Sequence, residues 1–256
     1  MQCIGRGLIG AVGAALAAIA VGCGGTDQGK AGDGALTVSA ASSLTAAFRA
    51  YGESLPAEPR FSFAGSDELA AQIRQGANPD VFASASTTYP EQLAAEGLVE
   101  EPVVFARNEL VIAVAPDSPI ESIDDLAEQG LDLVVGAEGV PVGDYAREVL
   151  DHLSRPERTA ILANVRSEES DVKGIVGKVA QGAADAGFVY SSDVAAGRGA
   201  LRAITLPPRL EPDVAYSIAV VDGTADPAAA RAFVDGLLAG EGLRALEDAG
   251  LRSPAG

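Results

Sequence analysis

From residue 36 onward, short apolar runs alternate with segments in which apolar residues recur every three or four positions. That alternation is the pattern of an α/β chain, with strands marked by the runs and helices by the 3.6-residue period. The runs predict strands at 36–40, 60–64, 81–84, 110–115, 133–136, 187–190 and 215–221. The periodic segments predict helices at 44–55, 68–75, 90–96, 123–128, 144–153, 155–163, 172–181, 227–238 and 241–248. Two runs, "ELVIAVAPDSPI" at 109–120 and "VAYSIAVVDG" at 214–223, are longer and enclose a self-sufficient β/α series. The expected architecture is two lobes, each a mainly parallel sheet flanked by helices, with the second inserted into the first and two crossing strands as a hinge. Lobe 1 is expected at 36–110 plus 212–256 and lobe 2 at 111–211.

The first 35 residues follow a different pattern. One basic side chain, Arg6, precedes an uninterrupted apolar or small run of fourteen residues from Leu8 to Val21. Such a run fits a secretory signal over 1–22 and falls short of the ~20 residues a membrane-spanning helix needs. The small residues Ala20-Val21-Gly22 before Cys23 resemble a bacterial lipoprotein signal, with Cys23 as the lipidated first residue of the exported protein. Ordinary secretory cleavage is the other reading of the same residues. The stretch 23–35, rich in glycine, then predicts a flexible tether. The expected location is outside the cytoplasmic membrane, periplasmic or held on the outer face by the lipid alone.

Both cysteines, Cys3 and Cys23, fall in this leader region, which leaves the folded part without a disulfide or a cysteine metal site. Acidic residues outnumber basic ones 36 to 18, a formal charge of −18 with no basic stripe, which argues against nucleic acid as a partner. The string "GRGLIG" at 5–10 matches a dinucleotide fingerprint letter for letter, but it has no strand before it and lies inside the export signal.

Ligands of α/β folds sit beyond the carboxyl ends of strands, where helix N-termini present unpaired N–H groups. Five strand-to-helix corners are therefore the candidate chemistry. In "VSAASSLTAAF" (38–48), Ser43 is either a helix cap or a free hydroxyl, and the Glu or Gln of a capping box is missing at Ala46. In "FAGSDEL" (63–69), Gly65 permits close backbone approach and Ser66 opens a helix whose first turn carries Asp67 and Glu68. In "AEGVPVGDYAREVL" (137–150), the Val142 N–H points out of a Gly/Pro loop, and in "SEESDVKGIVGKVAQG" (167–182) a helix start at Asp171-Val172 offers further backbone donors. In "ADAGFVYSSD" (184–193), Tyr190 ends a strand with a hydroxyl that donates without carrying charge. Together these neutral donors suit a fully deprotonated oxyanion, which has only acceptors to offer.

The strings "AASSLTAAF", "FAGSDELAAQI", "PDVFASAS", "GVPVGDYAREVL", "DVKGIVGKVAQGAADAGFVYSSD" and "VAYSIAVVDG" resemble, in order and spacing, the periplasmic molybdate-binding proteins of ABC importers. The resemblance implies a type II periplasmic-binding-protein clamshell that captures molybdate or tungstate, without a cofactor, and hands it to an ABC permease and ATPase complex as a monomer. It further implies that the oxyanion is held by the hydroxyls of Ser43, Ser66 and Tyr190 and the backbone N–H groups of Val142 and Val172, with no direct ligand to a metal cation. Here Gly65, Asp67 and Glu68 flank Ser66 where the family often has a serine-rich run, and Lys173 stands where it often has arginine.

Other functions read less well on these residues. A serine nucleophile needs a base, and the single histidine, His152, falls late in a helix away from the strand ends, with no G-x-S-x-G in the chain. A ferric site needs clustered Tyr, His and carboxylate ligands, and an organic acid calls for an arginine that none of the five corners holds. Sulfate, another tetrahedral dianion, stays open as the alternative ligand.

Overall fold

The computed structural model describes residues 35–254; the predicted signal, Cys23 and most of the tether lie outside the described residues. The chain runs β1 (Thr37–Ala41), α1 (Thr45–Ser54), β2 (Arg60–Ala64), α2 (Ser66–Arg74), β3 (Val81–Ser84), α3 (Thr88–Ala95), β4 (Val103–Asn108) and β5 (Leu110–Val114). It continues through β6 (Leu133–Gly136), α4 (Pro141–Asp151), α5 (Arg155–Ala163), β7 (Val165–Glu169), α6 (Val172–Ala180), β8 (Ala186–Tyr190), α7 (Ser191–Ala196) and β9 (Arg202–Thr205). It ends with β10 (Val214–Val220), α8 (Pro227–Leu237) and α9 (Gly240–Asp248).

These strands make two five-stranded sheets, ordered β2-β1-β3-β10-β4 and β7-β6-β8-β5-β9. In each sheet one strand, β10 or β5, pairs antiparallel with both neighbours, so the other four point the same way. Those two reversed strands are the long runs singled out in the sequence. The chain passes between sheets twice, at Glu109 between β4 and β5 and over 206–213 between β9 and β10. At each crossing the edge strand of one sheet leads into the reversed strand of the other.

Local sequence explains the elements that frame the strand ends. Helix α1 buries Ala47, Phe48 and Tyr51, a single face, and Phe48 meets Phe105 and Phe233 at centroid distances of 5.9 and 5.8 Å. Burying each such ring contributes ~1.5–3 kcal/mol. Helix α5 starts on a capping box: the Ser154 hydroxyl accepts from Glu157 N and the Glu157 carboxylate from Ser154 N. Helix α6 starts on Asp171, whose carboxylate accepts from Lys173 N at 2.6 Å and Gly174 N at 3.1 Å. Asp80 fastens β3 to β1 by accepting from Thr37 N and Thr37 Oγ1, each at 2.7 Å, and it also bonds Thr224 Oγ1.

Several expected elements need correction. Strands β4, β7 and β9 and helix α7 are additions to the predicted set. The apolar start of "VVFARN" is separated from β5 by the polar Arg107-Asn108-Glu109, and only the second of the two strands is in the predicted set. In "VRSEE" the strand is a polar edge, half-buried on alternate residues. The segment expected as a helix at 123–128 is a 3₁₀ turn, Asp124–Ala127. Helix α2 begins at Ser66 rather than 68, and α4 at Pro141 rather than 144, so Val142 belongs to the first turn of a helix and not to the loop before it.

Candidate functional site

The carboxyl ends of the parallel strands in both sheets open on one small cavity. Its lining comes from the β1 corner (Ala41, Ser42, Ser43), the β2 corner (Ala64, Gly65, Ser66), Ala85 after β3, the start of α4 (Val140, Pro141, Val142), the start of α6 (Asp171, Val172) and Tyr190 at the end of β8. All five residues expected from the sequence therefore meet at one place. About 20 Å³ of it is open to the centre of a water molecule. Pockets for organic ligands run to hundreds of Å³, so this one admits a single compact group.

Neither serine is spent on its helix. The 3₁₀ turn Ser42–Leu44 and helix α1 have Ala41 and Leu44 at their N-cap positions, with no side-chain cap on either. The capping role the sequence left open for Ser43 is not found, because the chain enters α1 through the turn and places this residue inside it. The Ser43 hydroxyl instead accepts from Tyr216 Oη at 3.0 Å. Ser66 is the first residue of α2, and its oxygen accepts from Ala85 N at 3.1 Å. Once an oxygen accepts from the protein, its own proton is left to be given elsewhere.

The two backbone donors arise from helix starts whose other amides are occupied or missing. In α4, Pro141 has no N–H, and Gly143 N and Asp144 N both donate to Val140 O, at 2.8 and 2.9 Å. The Val142 N–H between them is in a turn that has no intrahelical acceptor for it. In α6, Asp171 takes the amides of Lys173 and Gly174, which leaves that of Val172. Tyr190 is 1% exposed and its hydroxyl has no hydrogen-bond partner among the described residues. Burial pushes its ionisation well above the ordinary tyrosine range, so the hydroxyl keeps its proton. An unpartnered buried donor costs roughly 1–3 kcal/mol, and a ligand acceptor in the cavity would relieve that cost.

Basic charge is kept off the cavity, and the one carboxylate named in its lining, Asp171, already accepts from two amides. Lys173, which follows Val172, gives its ammonium to Asp193 at 2.7 Å. Asp193 is buried and its ionisation is pushed up, chiefly by burial and against the pull of Lys173. Glu68 faces solvent and accepts from Gln72 Nε2 at 3.1 Å, and neither it nor Asp67 lines the cavity.

The two lobes touch around the site. A Cβ built on Gly65 would stand 2.4 Å from Ser170 O, the carbonyl at the far lip, so only glycine fits this contact. Further out, Tyr89 Oη on α3 donates to Gly139 O on the opposing side.

A larger cavity, ≈ 490 Å³, lies between α4, α5 and β7. Its two arginines are committed: Arg147 to Gly136 O, Gly143 O and Glu168, and Arg166 to Asp132 and Ala163 O. Chemistry therefore favours the small site over the large one. His152 lies at the C-terminal end of α4 with Nδ1 2.8 Å from Glu148 O, away from every serine of the cavity. Sequence reasoning missed the partners that orient the two serines, Tyr216 and the Ala85 N–H. Tyr216 sits inside one of the two runs flagged as hinge strands, which was the available signal.

Comparison with known proteins points the same way. Residues 36–252 match the bacterial extracellular solute-binding protein family. A curated relative from Mycobacterium tuberculosis (strain ATCC 25618 / H37Rv), molybdate-binding protein ModA, is 38% identical over 96% of this chain and 97% of its own length. Among solved structures, the periplasmic molybdate-binding protein of Azotobacter vinelandii superposes with a TM-score of 0.75 at 21% identity, covering 86% of this chain and 99% of that one. The sulfate-binding protein SubI of Mycobacterium tuberculosis superposes at 0.71 with 17% identity over 86% of this chain and 88% of its own. These last two likenesses establish the fold and do not choose between the anions.

Proposed function

The chain belongs to the bacterial extracellular solute-binding proteins, in their molybdate-binding branch, and from that premise we propose that its cavity holds molybdate or tungstate through Ser43, Ser66, Tyr190 and the N–H groups of Val142 and Val172. The protein binds its solute rather than transforming it, and delivers it to an ABC permease and ATPase complex. The observation that carries the ligand assignment is the polarity of the cavity. Two hydroxyl oxygens already accept from the protein, a third hydroxyl is buried without a partner, and two helix amides are unclaimed. Such a set gives hydrogen bonds and takes none, which suits a tetrahedral dianion with four acceptor oxygens. The size of the cavity argues against organic acids. Export with Cys23 as a lipid anchor is supported by the leader sequence and the tether, and action as a single chain by the family resemblance alone.

Calorimetry of the purified protein with molybdate, tungstate and sulfate tests it. Molybdate and tungstate are expected to bind tightly and to similar degrees, since charge and shape are the same, with sulfate much weaker. Sulfate binding equal to or stronger than molybdate would refute the assignment and leave a general oxyanion carrier. Mass spectrometry of the exported chain checks the anchor: an acylated N-terminal Cys23 is expected, and an unmodified N-terminus would exclude it.

A further inference from the structure

Behind Ser43 lies a chain of buried hydrogen bonds whose direction can be worked out from one backbone amide. Asn108 ends β4 at the point where the chain crosses between sheets. Its Oδ1 accepts from Glu109 N at 2.9 Å, and a backbone N–H can only donate, so this contact fixes which end of the amide is oxygen. Ser191 Oγ donates to the same oxygen at 3.0 Å. The Nδ2 of Asn108 must then donate, and it does so to Ser192 Oγ at 2.8 Å and Tyr216 Oη at 3.2 Å. Having accepted from Asn108, the Tyr216 hydroxyl has its own proton to give, and its other partner is Ser43 Oγ.

We propose that Tyr216, oriented by Asn108, is a positioning residue that locks the Ser43 hydroxyl as a donor into the cavity, and so makes this serine reject oxyanions that carry a proton. The inference rests on the oxyanion reading above and adds to it the residues that enforce the choice of anion. Two further features support it. The pairing of β10 with β4 slips by a bulge between Tyr216 and Ser217, a device that re-aims a side chain next to a site. The ring of Tyr216 is fixed edge-on against Tyr190 at 5.6 Å and Phe105 at 6.3 Å, and burial keeps its phenol protonated. If Tyr216 were silent, the Ser43 oxygen would be free to accept from the acidic hydrogen of a protonated anion. With Tyr216 donating to one of the oxygen's two lone pairs, the Ser43 proton is turned toward the cavity, and an acidic hydrogen brought up along it meets hydrogen.

The test is a double-mutant cycle with Tyr216→Phe and Ser43→Ala, measuring calorimetric affinities for molybdate and for phosphate, which keeps a proton near neutral pH. Tyr216→Phe is expected to weaken molybdate by roughly three- to tenfold, the range for one neutral hydrogen bond. It should leave phosphate unchanged or improved, narrowing the ratio between the two anions. In the Ser43→Ala background the same change should have almost no further effect. Asn108→Ala, which keeps the phenol but removes what orients it, should shift the ratio in the same direction, with thermal unfolding confirming that each variant is folded. An unchanged molybdate-to-phosphate ratio in both variants, or losses that simply add across the cycle, would overturn the proposal while leaving the oxyanion reading standing. A wild-type chain that binds no molybdate would overturn both.

Discussion

Replacing Gly65 by alanine should separate binding from folding. Gly65 has φ −61° and ψ 141°, values any residue adopts, so the substitution strains no backbone. Its cost lies across the cleft: the new Cβ would be 2.4 Å from Ser170 O and 2.6 Å from Asp67 Oδ1. The carboxylate can swing away, but the Ser170 carbonyl is backbone, one residue before the Asp171 cap of α6. A comfortable carbon-to-oxygen approach is about 3.3–3.6 Å, so this lip must retreat by roughly 1 Å. That displacement carries the Val172 N–H with it and lengthens a bond of ordinary length beyond hydrogen-bonding range. One charge-assisted bond is worth about 1.5–3 kcal/mol, which corresponds to a roughly 10- to 150-fold loss of molybdate affinity. Without ligand the lobes can part and relieve the contact, so the melting temperature of the unliganded protein should stay near wild type. Calorimetry gives the affinity, and thermal unfolding with and without molybdate gives the other half. Wild-type affinity in Gly65→Ala, with a full ligand-induced rise in melting temperature, would show that the Gly65–Ser170 contact is no part of the bound geometry.

Other perturbations test separate parts of the site. Ser66→Ala removes a hydroxyl aimed at the ligand and strands the Ala85 N–H, so affinity should fall by about 1.5–3 kcal/mol by calorimetry; full affinity would remove Ser66 from the site. Tyr190→Phe deletes a donor that has no partner among the described residues, so the unliganded chain should be as stable as wild type or more so while molybdate binding weakens, a split that paired melting curves would reveal. Asp80 links the pH response to the fold. Burial alone would raise its ionisation, but the bonds from Thr224 and Thr37 hold it below the ordinary range. Its ionised form therefore stabilises the fold at pH above the unfolded value, and that contribution is lost as pH falls through the lowered folded value. Asp80→Asn should flatten this acid limb in a pH series of melting temperatures, and an unchanged limb would refute the linkage.

The corners were legible because each repeats one local grammar: an apolar strand, then small residues, then a helix start. Ser43, Ser66, Val142, Val172 and Tyr190 could all be placed from such short strings, with the resemblance choosing among them. What gives the serines their direction could not. Tyr216 is 173 positions from Ser43 and reads in the sequence as one more residue of an apolar strand. Asn108 reads as the polar end of another. The same limit hid β7, whose "VRSEE" has too little apolar character to register as a strand until the parallel neighbour β6 supplies its hydrogen bonds. The capping role left open for Ser43 failed for a related reason, since nothing local announces the 3₁₀ turn that carries the chain into α1.

Holding the ligand on dipoles rather than on a cation has a kinetic side. A dianion approaching a chain of net charge −18 is repelled at long range, yet inside it is held by N–H and O–H dipoles rather than by a cation, because Lys173 is tied to Asp193. Added salt screens the first effect within a Debye length of about 10 Å at 0.1 M and hardly reaches the second. Capture should therefore quicken as ionic strength rises while escape proceeds at an almost constant rate, the reverse of what a site built on arginine or lysine would do.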